Sequence, residues 1–193
     1  MKSDLIIAGV GGQGIISIAA AIGKAALKEG YHIKQSEVHG MSQRGGAVQS
    51  HLRISSSEIA SDLIPLGKAH MIISVEPMES LRYLNYLSEM GWLITSNNRF
   101  DNINNYPDLE LLLAEVRKIK NHVIIDAESL AREAGSARSS NMVVLGAASL
   151  NLPLPESSFE WAIKEMFIKK GGELVELNLK AFKLGRVQSL TLH

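Results

Sequence analysis

Gly9-Val10-Gly11-Gly12-Gln13-Gly14 has the spacing G-x-G-x-x-G, and it stands between a short apolar run and an alanine-rich segment. Glycines at such positions permit a tight turn and let backbone approach a ligand closely. A helix beginning directly behind them offers unpaired N–H groups and a positive dipole end, so the chemistry is the binding of phosphate or carboxylate. The bland reading is that the glycines only allow close packing of strand on helix. A dinucleotide fingerprint needs an acid about 20 residues further on. Glu37 stands nearest that place, at the end of the next strand, whereas Glu29 precedes that strand. The surplus Gly12 and the polar Gln13 point to a loop shaped for something other than standard dinucleotide use.

A second constellation follows in Glu37-Val38-His39-Gly40-Met41-Ser42-Gln43-Arg44-Gly45-Gly46. Arg44 beside two glycines has room to meet a carboxylate or phosphate with both arms of its guanidinium. The bland reading is a solvated turn whose arginine pairs with a local acid. The density of polar residues and glycines favours a functional loop. His39 is a candidate general base or ligand contact, weighed against a surface or hydrogen-bonded structural histidine. With no second His or carboxylate at ligand spacing, no metal is expected here. Ser42 lacks a G-x-S-x-G elbow, so a hydrolase reading is poor. Met41 suits a ligand, a partner or a core equally.

These loops need elements to hold them. Leu5-Ile6-Ile7-Ala8-Gly9-Val10 reads as a buried parallel strand, and Ile15 to Lys28 as a helix stopped by Gly30. Tyr31 to Val38 is a second strand. Ala47 to Ile54 alternates, with Val48, Ser50, Leu52 and Ile54 on one side, which predicts an edge or antiparallel strand with one wet face. Met71 to Val75 and Trp92 to Thr95 read as strands, joined by a helix predicted over Pro77 to Met90. His122 to Asp126 is a further strand. Helices are expected over Leu109–Lys120, Ala127–Glu133, Asn141–Leu150, Ser157–Lys170 and Leu174–Leu184. Asn141 suits a helix N-cap or N-terminal position, and Trp92 and Trp161 suit packing. Asn97 to Pro107 is a polar, asparagine-rich loop and the best candidate for a mobile excursion. Strands alternating with helices give an α/β fold: a Rossmann-like, mainly parallel sheet flanked by helices, in a single domain. Both chemical loops then fall at the carboxyl edge of the sheet, where such folds bind ligands.

Composition narrows the function. The chain has 193 residues, 46% hydrophobic and 21% charged, which is enough to build a core and far from disorder. Twenty basic residues balance twenty acidic ones, so nucleic acid is not an expected partner. There is no cysteine, so thiol nucleophiles, disulfides and cysteine-held zinc or iron–sulfur clusters are excluded on this chain. No apolar stretch is long enough to cross a bilayer and no secretory leader is visible, so no membrane partner and a cytoplasmic setting are expected.

The two loops in register resemble the gamma-type domain of the 2-oxoacid:ferredoxin oxidoreductases, and most of all the small subunit of the indolepyruvate type. Asn141-Met142-Val143-Val144-Leu145-Gly146-Ala147 and the stretch Asn178 to Gly185 also fit, so residues 1–193 resemble that domain nearly throughout. The resemblance implies a subunit of an enzyme of anaerobic metabolism. That enzyme decarboxylates an aryl-pyruvate oxidatively to an acyl-CoA and passes electrons to ferredoxin. It implies that thiamine diphosphate, Mg and Fe–S clusters sit on a large partner subunit, with ferredoxin met through the complex. This chain would enclose coenzyme A and substrate, bind no cofactor by itself and be inert alone. An isolated copy with an orphaned interface could form a homodimer. By motif, Gly11, Gly12, Gln13, Gly14, Ser42, Gln43, Arg44, Gly45 and Gly46 become the expected ligand-binding residues, with Arg44 for an anion and Gln13 for ligand or partner. No catalytic residue is assigned. The alternative is a self-contained Rossmann-type enzyme that binds NAD or a flavin through the glycine loop and Glu37.

Overall fold

A computed structural model describes residues 1–39, 45–101 and 103–192. Along the chain run β1 (Lys2–Val10), α1 (Ile15–Lys28), β2 (His32–His39), β3 (Ala47–Ser55), β4 (Ala69–Ser74), α2 (Pro77–Arg82) and β5 (Leu87–Ser96). Then come α3 (Leu109–Arg117), β6 (His122–Ile125), α4 (Ala127–Ala134), α5 (Ser140–Ser149), α6 (Glu156–Phe167) and α7 (Gly172–Leu190). The strands form one sheet in the order β2-β3-β1-β4-β5-β6. β1, β4, β5 and β6 pair in parallel. β3 runs against both of its neighbours, β1 and β2, so it is the one reversed strand of the sheet.

The continuous apolar run of β1 is explained by burial on both faces. Leu5 and Ile7 enter a large core with α1, α4, α5, α6 and α7. Ile6 points the other way, into a small core with Ile64, Ile72, Leu93 and Val116. Alternation repeats in β4, where Met71 and Ile73 face the large core and Ile72 the small one. α1 ends as its sequence predicts: Gly30 has φ 79, and the N–H of Tyr31 returns to the carbonyl of Ala26 at 3.0 Å.

Two expectations change. β3 is antiparallel but interior, because its polar side finds partners instead of water. Arg53 grips Asp4 with two hydrogen bonds, of 2.7 and 3.2 Å, and donates to the carbonyls of Ser61 and Leu63 at 3.0 Å each. The true edge is β2. The helix predicted over Pro77 to Met90 stops at Arg82, and β5 already begins at Leu87. The apolar residues Leu81, Tyr83, Leu84, Tyr86 and Leu87 pack on the small core, and a helix cannot turn all of them toward one sheet face. The pairing Ala69 with Leu87 and then Met71 with Trp92 shows the irregularity that absorbs the extra residues.

Among the described residues, no helix is long and apolar enough to cross a membrane.

Candidate functional site

β1 leads through α1 to β2 on one side of the sheet, while β4 leads through α2 to β5 on the other. The switch in direction lies between β1 and β4, and crevices for ligands open at the carboxyl ends of strands at such a point. A cavity of about 520 Å³ lies there. Its first wall is the glycine loop, with Gly12, Gln13 and Gly14. Its second is the segment after β5, with Ser96, Asn98, Arg99 and Phe100. The starts of α4 and α5 close it.

The glycine wall is built from backbone. Gly14 precedes α1 with φ 80, and no side chain caps that helix. A Cβ on Gly14 would lie 2.4 Å from Asn141 Nδ2, so both conformation and space require glycine. Asn141 donates from Nδ2 to the carbonyl of Gly14 at 3.1 Å, and its Oδ1 accepts from Met142 N at 3.0 Å. It therefore ties the glycine loop to the start of α5. The expected N-terminal helix residue is also the clamp between two loops 127 residues apart. Gln13 Oε1 accepts from Val10 N at 2.8 Å, closing the turn on itself. Its Nε2 is left as a donor with no hydrogen-bond partner among the described residues.

The second wall is built from side chains. Asn98 Oδ1 accepts from Ser96 Oγ at 2.6 Å and from Glu128 N at 2.9 Å, and Asn98 Nδ2 donates to Asp126 at 3.2 Å. These bonds fasten the segment to α4. Arg99 and Arg138 bring two cations to the cavity, and Glu128 is its one acid among the described lining residues. Glu128 is already engaged by Arg132 at 3.1 Å. Arg138 has no ion-pair partner among the described residues. α1 and α5 both start at the cavity with no acidic residue in the first turn. Two helix N-termini and two guanidinium groups make the cavity a receptor for an anion.

Beneath the second wall lies Glu76, fully buried. Its carboxyl is pushed above the ordinary carboxylate value first by burial; the hydroxyl of Tyr106 and the N–H groups of Glu79 and Phe100 oppose that shift. The Tyr106 hydroxyl is pushed upward too, by burial and then by Glu76. Glu79 is likewise buried and holds Arg82 with bonds of 2.9 and 3.0 Å.

Of the residues expected from the sequence, Gly12, Gln13 and Gly14 line this cavity. Gly11 lines a smaller one of about 300 Å³ behind the loop. Gly11 N donates to Gly46 O at 2.8 Å and Gly45 N to Gly11 O at 3.4 Å, so the two glycine segments do meet. The His39 side chain and Gly40, Met41, Ser42, Gln43 and Arg44 lie outside the described residues. Arg99, Arg138 and the clamp by Asn141 were missed. A signal existed: Arg99 follows the strand Trp92 to Thr95, and Arg138 precedes a helix, so both fall at the same sheet edge.

Glu37 does not serve as the acid of a dinucleotide site. It pairs with Ser50 on β3, and Ser50 pairs with Ile7 on β1, so a whole strand separates Glu37 from the glycine-bearing strand. That is two strand spacings, roughly 9.6 Å. The self-contained NAD or flavin enzyme is therefore not favoured.

The chain is similar over nearly its whole length to proteins of one family. The indolepyruvate oxidoreductase subunit IorB of Archaeoglobus fulgidus is 34% identical over 200 residues, spanning 99% of this chain and 97% of that one. The subunit of the same name in Thermococcus kodakarensis is 38% identical over 195 residues, spanning 94% and 93%. Among solved structures, the 2-oxoglutarate:ferredoxin oxidoreductase of Magnetococcus marinus, with 2-oxoglutarate, coenzyme A and succinyl-CoA bound, shares the fold at a TM-score of 0.77 and 22% identity. All of this chain is covered, but only 32% of that longer one. The gamma subunit of a keto/oxoacid ferredoxin oxidoreductase from Geobacter sulfurreducens aligns at a TM-score of 0.71 and 24% identity, over 98% and 99% of the two chains. Residues 4–188, which carry the sheet, both glycine segments and the α5–α7 pair, match one family throughout, and the chain belongs to the pyruvate ferredoxin/flavodoxin oxidoreductase family.

Proposed function

We propose that this chain is the small subunit of a 2-oxoacid:ferredoxin oxidoreductase acting on indolepyruvate, and that its cavity holds the anionic part of coenzyme A. Residues 1–193 form the gamma-type domain of that enzyme. The single observation that carries the reading is the cavity at the switch point, with two arginines, two helix N-termini and one acid among its described lining residues.

The chemistry of oxidative decarboxylation belongs elsewhere in the complex. The chain has no cysteine to hold an iron–sulfur cluster. Among the described residues, no three His, Asp or Glu side chains gather in a way that suits a metal ion. We assign thiamine diphosphate, Mg and Fe–S clusters to a large partner subunit, with ferredoxin met through the complex; a chain without cysteine leaves the clusters to that partner. The assembly works in the cytoplasm.

This chain's residues bind and orient. Arg138, with no ion-pair partner among the described residues, offers a planar fork to phosphate oxygens. Backbone N–H groups at the start of α1, which no side chain caps, add donors that need no reorganisation. Gln13 Nε2 gives a neutral donor beside them. Phe100 and Phe167 also line the cavity and give it an apolar surface beside the charged one. Coenzyme A held in this way would present its thiol toward the partner's active region. Binding energy from the remote phosphates then serves the reacting end.

The test is reconstitution with the large subunit under anaerobic conditions, assayed with indolepyruvate, coenzyme A and ferredoxin. The chain alone is expected to be inert and the pair active. Arg138→Ala in the complex is expected to raise KM for coenzyme A roughly tenfold, the loss of one charge-assisted contact, and to leave KM for indolepyruvate unchanged. Turnover by the chain alone with NAD or a flavin would sink the reading. So would an Arg138→Ala complex with an unaltered coenzyme A dependence.

A further inference from the structure

We propose that Glu76 and Tyr106 are positioning residues of the anion cavity: they set the place of Arg99, and through it the affinity for coenzyme A, without touching the ligand. The proposal rests on the reading of the cavity given above.

Glu76 is the second residue past the end of β4 and is entirely shielded from solvent. One of its oxygens, Oε2, accepts from Glu79 N at 2.8 Å and so caps α2. The other, Oε1, accepts from the Tyr106 hydroxyl. One buried group thus fastens the start of a helix and the asparagine-rich loop at Tyr106. Capping alone does not explain the residue. A shorter Asp or Ser caps a helix as well, and a buried carboxyl is costly unless every oxygen is used. Glutamate is needed because the loop lies beyond the reach of a cap.

Arg99 belongs to the same loop. Its guanidinium carbon stands over the Tyr106 ring, 5.8 Å from the ring centre. Its other contact is Asp101 at 3.2 Å, with both side chains about half exposed. A pair so open to water fixes little. The direction of Arg99 is therefore set by the ring of Tyr106, and that ring is set by the hydroxyl bond to Glu76. Arg99 and Phe100 both line the cavity, and Tyr106 and Glu76 do not. Loss of the hydroxyl frees the ring, and the cation above it loses its fixed approach to the ligand.

The experiment uses the reconstituted complex with coenzyme A varied and indolepyruvate saturating. Arg99→Ala is expected to raise KM for coenzyme A roughly tenfold and Tyr106→Phe roughly threefold, each with kcat within about twofold of the wild type. The deciding measurement is the double variant. If Tyr106 acts through Arg99, R99A/Y106F has the KM of R99A alone. Equal factors for Y106F with and without Arg99 would make Tyr106 merely structural and overturn the proposal. So would an unchanged KM in Y106F. Arg99→Lys, which keeps the charge and loses the planar stacking, is expected to match Y106F and shows no further change when combined with it. Thermal melting of each variant separates loss of fold from loss of position. Should Y106F unfold, Glu76→Asp provides the same comparison, because the shorter carboxylate can still cap α2 but no longer reaches the Tyr106 hydroxyl. If R138A raises KM and R99A does not, the positioning role fails while the cavity reading stands. If neither changes it in an active complex, the cavity reading itself fails.

Discussion

The two walls of the cavity are made in opposite ways. The glycine wall is backbone held by close contact, with Gly14 in a left-handed conformation against Asn141 and no room for a side chain. Behind it α5 crosses α7 at glycines: a Cβ on Gly146 would lie 2.0 Å from the carbonyl of Phe182, and one on Gly185 2.0 Å from that of Val143. The opposite wall reaches the cavity through long side chains fastened by polar contacts to Glu76, Asp126 and the start of α4. The first wall can hold one shape only, because packed interiors do not deform by small steps. The second can shift by the loss of one hydrogen bond and stay folded. The rigid wall supplies fixed backbone donors and the adjustable one supplies charge.

The comparison breaks most sharply at the helix crossing. Gly146→Ala must separate α5 from α7, since the obstructing atom is a backbone carbonyl and cannot rotate away. A loss of about 3 kcal/mol or more is expected, read as a fall in denaturation midpoint of the isolated chain. An unchanged midpoint would mean that the crossing is not tight and that the glycine wall has no rigid support. Asn141→Ala comes next. It removes the bond to Gly14 and leaves that carbonyl without its clamp, at about 1–2 kcal/mol of stability. In the complex it should also raise KM for coenzyme A, because the first turns of α1 and α5 are no longer fixed to one another. If stability falls and KM does not, the clamp serves the fold alone.

How much of this was readable in the residues follows from the same contrast. The glycine wall is local in sequence: a strand, G-x-G-x-x-G and a helix sit within thirty residues, and the motif states its own geometry. The apolar runs of β1, β4 and β6 and the end of α1 at Gly30 were legible for the same reason. The second wall was not. Residues 97–107 lack a hydrophobic period, and a polar stretch with no pattern reads as a mobile excursion. Tyr106 is held by Glu76, thirty positions earlier in the chain, and a long-range bond to a buried carboxyl leaves no periodic trace. The same limit hid Asn141, whose partner Gly14 is distant, and made β3 look like an edge, since Asp4 and the carbonyls at 61 and 63 that cover it come from elsewhere. The excess length of the helix predicted over Pro77 to Met90 had the reverse cause. Met78, Leu81, Leu84 and Leu87 keep a near-helical spacing, yet the aromatic residues among them pull the chain onto the small core and into β5 early.

The smallest effect sharpens the comparison from the adjustable side. Burial raises the carboxyl of Glu76 above its value in the unfolded chain, against the pull of the Tyr106 hydroxyl and the Glu79 and Phe100 N–H groups; the Glu79 carboxylate adds to the rise, and Arg82 faces the pair. The folded state then keeps a proton that the unfolded state has released, over the window between the ordinary carboxylate value and the raised one. Stability from this group is full below that window and declines as pH rises through it. Glu76→Gln is neutral at every pH and removes that slope. Melting temperatures of the isolated chain, taken from about pH 4 to about pH 8, should therefore fall more steeply with pH in the wild type than in E76Q. Parallel curves would show that Glu76 is ionised in the fold as it is outside it. The second wall would then hang on a charged anchor, and its loop would be held more firmly than a neutral carboxyl allows.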